Sequence, residues 1–114
     1  MTQRDPLQAL RRDYTPPFLS YLTNRDETGL GAAYELGRRA MRSGVGLLDF
    51  VRVHNAVVAD VLSTARTVPA AADLTHAAGL FLLEGLASFE MAQRGFMEIG
   101  VRPEPGAAPD ATDR

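Results

Sequence analysis

Two histidines, His54 and His76, are the side chains of this sequence best suited to acid–base or metal chemistry. Near neutral pH an imidazole can serve as a base, a metal ligand or a haem ligand. His54 lies on the apolar face of a helical pattern, and no second histidine stands at ligand spacing from it. Without such a companion group we expect a structural, hydrogen-bonded His54. A pH-sensitive or partner-contacting role and a ligand or catalytic role are the alternatives.

Three glutamates, Glu84, Glu90 and Glu98, share one predicted helix with Arg94. Carboxylate metal sites in helical bundles use a Glu-x-x-His spacing on facing helices, and this sequence contains none. Arg94 stands four residues from both Glu90 and Glu98, which favours solvated ion pairs. The sequence also lacks a glycine-rich phosphate loop, a serine nucleophile elbow and a zinc-protease motif. We therefore predict a protein that is not an enzyme and that has no metal or cofactor.

The composition excludes several classes of protein. The 114 residues fit one domain, and an apolar content of 46% is ordinary for a globular protein. With no cysteine there is no disulfide and no thiolate ligand or nucleophile. The net charge of −2 argues against a nucleic-acid binder that relies on phosphate contacts. The start resembles no signal peptide and no stretch is apolar enough to span a membrane, so we expect a cytoplasmic protein.

Helical spacing of the apolar residues predicts an all-α domain of four helices over residues 1–100, with a disordered tail or linker at 101–114. The first helix starts with residues 6–14. Because Pro16 and Pro17 interrupt it, the sequence leaves open whether this is one kinked helix or two pieces.

Capping residues predict where the second helix begins and ends, and therefore where the third begins. Asn24 and Glu27 have a capping-box-like spacing at the start of the second helix, and Gly44 ends it. The third helix should run from Gly46 to about Arg66. Its inward face is predicted to carry Leu47, Val51, His54, Val58, Val61 and Leu62, widened by Phe50, Val53 and Val57.

The fourth helix, from about Ala70 to Gly100, has two apolar faces. The broad inward face consists of Leu74, Ala78, Phe81, Leu82, Gly85, Leu86, Phe89, Ala92, Phe96 and Ile99. The second face, here called the outer stripe, consists of Leu80, Leu83, Ala87 and Met91 and lies among charged residues that include Glu84. One apolar face is enough for a helix to join its own core. The outer stripe therefore indicates a partner surface.

Small residues of the fourth helix, Gly85, Ser88, Ala92 and Gly95, leave a groove beside Phe81. Each interior glycine costs about 1 kcal/mol of helix propensity relative to alanine, and close approach of another helix would explain that cost. The sequence leaves open whether this helix belongs to the same chain or to a second copy. The second alternative predicts a homodimer with these five residues at its interface.

Three segments carry a resemblance to a known family. They are AYELGRRAM at 33–41, LLDFVRVHN at 47–55 and FLLEGLASFEMAQRGF at 81–96. In this order they resemble the amino-terminal domain of the RsbU-type phosphatases, bacterial stress-response regulators of partner-switching pathways. The resemblance implies a small all-helical domain that dimerises. It also implies docking of an RsbT-like switch kinase of the GHKL fold, which activates an attached PP2C-type phosphatase.

The resemblance implies a docking surface as well. In the family this surface lies at the start of the second helix and in the middle of the last, which in this chain implies Glu27, Leu83 and Ala87. Leu83 and Ala87 also belong to the outer stripe, so we predict a partner-binding surface that consists of Glu27, Leu80, Leu83, Glu84, Ala87 and Met91. The sequence carries no phosphatase domain of its own. The alternative from another class is a ligand-sensing helical bundle with a cavity near His54.

Overall fold

The computed structural model describes residues 5–95, which form four α-helices and, within that range, no strand. The helices are α1 (Pro6–Asn24), α2 (Glu27–Arg42), α3 (Leu47–Leu62) and α4 (Val68–Gly95). The predicted all-α, four-helix architecture is confirmed. The last predicted turn of α4 at 96–100 and the predicted tail at 101–114 lie outside the described residues.

Helix α1 is continuous through Pro16 and Pro17, which settles the choice that the sequence left open. Each proline removes a backbone N–H donor from the helix, at a cost of roughly 3 kcal/mol. Tyr14 and Phe18 lie on either side of the prolines, and both are fully buried. Because the same apolar face continues across the prolines, packing against the other helices offsets their cost.

The N-cap of helix α2 lies two residues later than the predicted cap. Asp26, not Asn24, is its N-cap, and the Asp26 carboxylate accepts a hydrogen bond of 3.0 Å from the Gly29 amide. Asn24 is instead the last residue of α1, and the C-cap that follows it, Arg25, adopts a left-handed conformation. At the other end Gly44 follows the helix with a φ of 86°, a conformation that favours glycine.

Helix α3 is shorter than predicted, and the set of its residues that is buried differs from the predicted inward face. It ends at Leu62 rather than near Arg66, and the Ser63 hydroxyl just beyond donates to the Asp60 carbonyl. The prediction that Leu47 faces inward is wrong, because half of that residue is exposed. The buried residues of α3 are Phe50, Val53, His54 and Val57.

Helix α2 packs most extensively on α4, and the two helices run in the same direction. Arg25, just before α2, pairs with Asp73, and Gly37 contacts Gly85, so both contacts join residues 48 apart in the sequence. The core between the helices is aromatic. Its fully buried large side chains are Tyr14, Phe18, Leu36, Phe50 and Phe81.

Candidate protein-interaction surface

His54 lies in the core, where it forms a hydrogen bond with Tyr14. The Tyr14 Oη and His54 Nδ1 atoms are 2.6 Å apart and both residues are buried. Burial lowers the pKa of His54 to about 4 and raises the pKa of the Tyr14 phenol. The rings of Tyr14 and Phe18 lie 5.8 and 5.9 Å from the imidazole and occupy the space beside it. This is the hydrogen-bonded structural environment that we expected for His54.

No group of three or more histidine or acidic side chains in residues 5–95 is arranged to hold a metal ion. Of the carboxylates singled out from the sequence, Glu84 is half-buried and Glu90 is exposed. Glu90 pairs with Arg94 at 2.7 Å as predicted, and both side chains are more than half exposed. An exposed pair of this kind contributes a few tenths of a kcal/mol. Glu98 lies outside the described residues.

The buried His54 makes the stability of the fold depend on pH. Its pKa is lower in the folded chain than in the unfolded chain, so the unfolded chain binds more protons between about pH 6.5 and pH 4. We expect the contribution of His54 to be complete above pH 6.5 and to decrease by about 2–3 kcal/mol as the pH falls to 4. Urea denaturation at several pH values measures this decrease.

The matched control for this prediction is His54→Leu, which removes the titrating group and keeps an apolar side chain of similar size. Its unfolding free energy should vary much less between pH 6.5 and pH 4 than that of the wild-type chain. Asp73, whose pKa is lowered by the hydrogen bond from Arg25, loses its contribution only at lower pH. An equal slope in both proteins would show that another group carries the dependence.

The small-residue groove of α4 is filled by the same chain. Gly37 of α2 contacts the backbone of Gly85 and the hydroxyl of Ser88, and the Phe50 ring also lies close to Gly85. Ser88 is buried and donates its hydroxyl proton to the Gly85 carbonyl over 2.7 Å. The intrachain alternative that the sequence left open therefore accounts for Gly85 and Ser88.

The residues predicted for a dimer interface are thus in different environments. Phe81, Gly85 and Ser88 are buried within one chain, whereas Ala92 is exposed. Ala92 borders a shallow groove with Arg38, Met41 and Arg42 of α2. Gly95 is the last residue of α4, and its surroundings are outside the described part. The dimer itself stays a prediction.

The outer stripe lies at the surface of α4. Leu83 is 62% exposed, about half of Met91 and more than a third of Leu80 are exposed, and Ala87 is half-buried. Phe81, two residues before Leu83, is completely buried. Helix α4 therefore has one face in the core and a second apolar face at the surface, with the half-buried Glu84 beside it.

Glu27 lies apart from the middle of the outer stripe. It is exposed at the first position of α2. Because α2 and α4 run in parallel with a register of 48 residues, Glu27 is level with the second turn of α4. Leu83 lies about two helical turns further on, which is roughly 12 Å along the axis. A partner must therefore cover both helices to contact both residues.

The start of α3 borders the outer stripe, and the sequence analysis missed this. Leu47 lines a groove with Leu83, Ala87 and Glu90. The groove has a volume of about 290 Å³, and Leu86, Phe89 and Gln93 complete its lining. Helical periodicity alone could not show the exposure of Leu47, because the first turn of α3 extends past the core that buries the rest of that face.

Comparison with known proteins identifies a family. The family described as "Phosphoserine phosphatase RsbU, N-terminal domain" matches residues 12–92, which include most of all four helices. No curated protein and no solved structure matches the chain. In residues 5–95, no helix has both the length and the apolar character needed to cross a membrane.

Proposed function

Because the chain belongs to the family of the RsbU N-terminal domain, we propose that it is a non-catalytic regulatory module that forms a homodimer and docks an RsbT-like switch kinase. Through this contact it would control a PP2C-type phosphatase in cytoplasmic stress-response signalling. The observation that supports docking most directly is the exposed outer stripe on a helix whose opposite face packs in the core, where Phe81 is fully buried.

The proposed docking surface joins apolar and charged residues. Leu80, Leu83 and Met91 supply the apolar contacts, and Glu84 supplies charge beside them. Transient protein interfaces have this anatomy, with an apolar centre and a polar rim. Glu27, exposed on α2, would add a charged contact at one end, where it can accelerate association with a partner of opposite charge.

A competition assay tests the proposed function. An RsbU-type phosphatase is assayed with its RsbT-like switch kinase in the presence of increasing amounts of this chain. If the chain docks the kinase, it should lower phosphatase activation in proportion to the kinase it captures. Titration calorimetry should give a Kd of about 1 μM or tighter, which corresponds to roughly −8 kcal/mol. Absence of binding in both assays would refute the docking proposal.

The homodimer is a separate prediction. Light scattering at micromolar concentration should give about twice the 12.3 kDa mass of one chain. Ala92→Glu should shift the mass towards one chain, because it places a charge on the exposed residue of the predicted interface. Ala72→Glu, at another exposed position of α4, is the control and should leave the mass unchanged. A wild-type monomer would remove the dimer from the proposed function.

A further inference from the structure

The exposed apolar side chains of this protein are concentrated in two neighbouring segments. Of the seven large hydrophobic residues that are exposed within residues 5–95, three belong to the outer stripe. Two more, Leu47 and Leu48, form the first turn of α3 and are 51% and 65% exposed. Single exposed hydrophobic residues are normal on a protein surface, whereas a contiguous set marks an interaction site.

A groove joins these two segments. Leu47 on α3 and Leu83 on α4 line the same depression, with apolar Leu86, Ala87 and Phe89 between them. The groove lies between two packed helices, with the Phe50 and Phe89 rings 5.2 Å apart where α3 meets α4. Such a groove takes the apolar face of an amphipathic helix, whose side chains recur every three or four residues.

Among the described residues, the charged side chain that lines the groove is acidic. Glu90 lines the groove directly, and Glu84 lies on α4 next to Leu83. Arg94 neutralises Glu90 in part through their ion pair, whereas Glu84 makes no ion pair with any residue of the described chain. A helix that lies here with lysine or arginine beside its apolar face would bring opposite charges together.

A second copy of this chain fits the groove less well. In a two-fold dimer the same surface faces itself. The acidic edge would then approach its own copy, and carboxylates close to the symmetry axis would repel each other. The charge of the groove therefore favours a different, basic partner over self-association.

Resting on the proposed function, we infer that the groove between α3 and α4 receives a basic amphipathic helix of the switch kinase. Leu47 forms one wall of this site, with the exposed Leu48 beside it on α3, and Leu83 and Ala87 of the outer stripe form the other. The docking surface thus includes the start of α3, in addition to the residues of α2 and α4 named above.

Leucine substitutions test this inference in a binding titration with the RsbT-like kinase. Leu47→Asp should weaken binding at least tenfold. Leu19→Asp, on α1, is the matched control, because Leu19 is similarly exposed at 44% and does not line the groove. Circular dichroism of both variants shows whether they remain folded. Leu48→Arg should also weaken binding more than Leu48→Glu does, because only the arginine repels a basic helix.

The outcomes separate this inference from the proposed function. If the wild-type chain does not bind the kinase, the proposed function falls and this inference falls with it. If Leu83→Asp weakens binding while Leu47→Asp and both Leu48 variants bind like wild type, only the α3 wall is refuted. If Leu47→Asp changes the dimer mass and leaves kinase binding intact, the groove holds a second copy, which also overturns the inference.

Discussion

Gly37→Ala should destabilise the fold by about 3 kcal/mol, although it adds only one methyl group. A Cβ atom at position 37 would overlap the carbonyl oxygen of Gly85 and the hydroxyl of Ser88, and it would lie 3.2 Å from the Gly85 carbonyl carbon. The obstacle is helix backbone, which cannot rotate away as a flexible side chain can. Helices α2 and α4 would have to separate along the most extensive contact of the fold.

Gly31→Ala is the matched control for this experiment. Gly31 lies on the same helix, but it is exposed and no atom lies within 4 Å of the Cβ that alanine would add. Alanine there should stabilise the protein by about 0.5–1 kcal/mol through its higher helix propensity. Chemical denaturation of both variants gives the difference. Equal stability of Gly37→Ala and Gly31→Ala would show that α2 and α4 are not in close contact at Gly37.

The sequence predicted the number and type of the helices because each has a clear apolar period. It also predicted a structural, hydrogen-bonded His54, which the structure pairs with Tyr14. It could not identify the contact between Gly37 and Gly85. A glycine in a helix indicates close approach, but the partner depends on how the helices are arranged in space.

Element ends and faces were less predictable. Asn24 and Asp26 are both good N-cap residues, and the choice depends on where α1 stops. Leu47 has the period of an inward residue, yet half of it is left uncovered by residues 5–95. By contrast, the outer stripe followed from the sequence, since a helix with two apolar faces can bury only one of them in a small core.

Leu83→Asp should weaken binding of the RsbT-like kinase by more than 2 kcal/mol, which is about a thirtyfold higher Kd. Leu83 is the most exposed residue of the outer stripe and lines the groove between α3 and α4. In the complex an aspartate at this position would lose its water and face the acidic Glu84 and Glu90. The variant should keep its fold, because the leucine makes few contacts with the core.

Glu27→Lys should also weaken binding, but in a different way. Glu27 is exposed and lies about 12 Å along the axis from Leu83, so we expect it at the rim of the interface. A rim charge acts mainly on the association rate. Surface plasmon resonance should therefore show slower association for Glu27→Lys, with a difference that shrinks as salt is added. For Leu83→Asp the main change should be faster dissociation.

Phe81→Asp is the control for Leu83→Asp, because it shows the effect of the same substitution at a core position of α4. The two positions are two residues apart on α4, but Phe81 is fully buried and its ring packs against Phe18 and Tyr14. A charge there should unfold the domain, because a buried carboxylate without a partner costs several kcal/mol. If Leu83→Asp lost as much helicity as Phe81→Asp, the outer stripe would belong to the core. The docking proposal would then rest on family membership alone, since no exposed apolar face of α4 would remain to receive a partner.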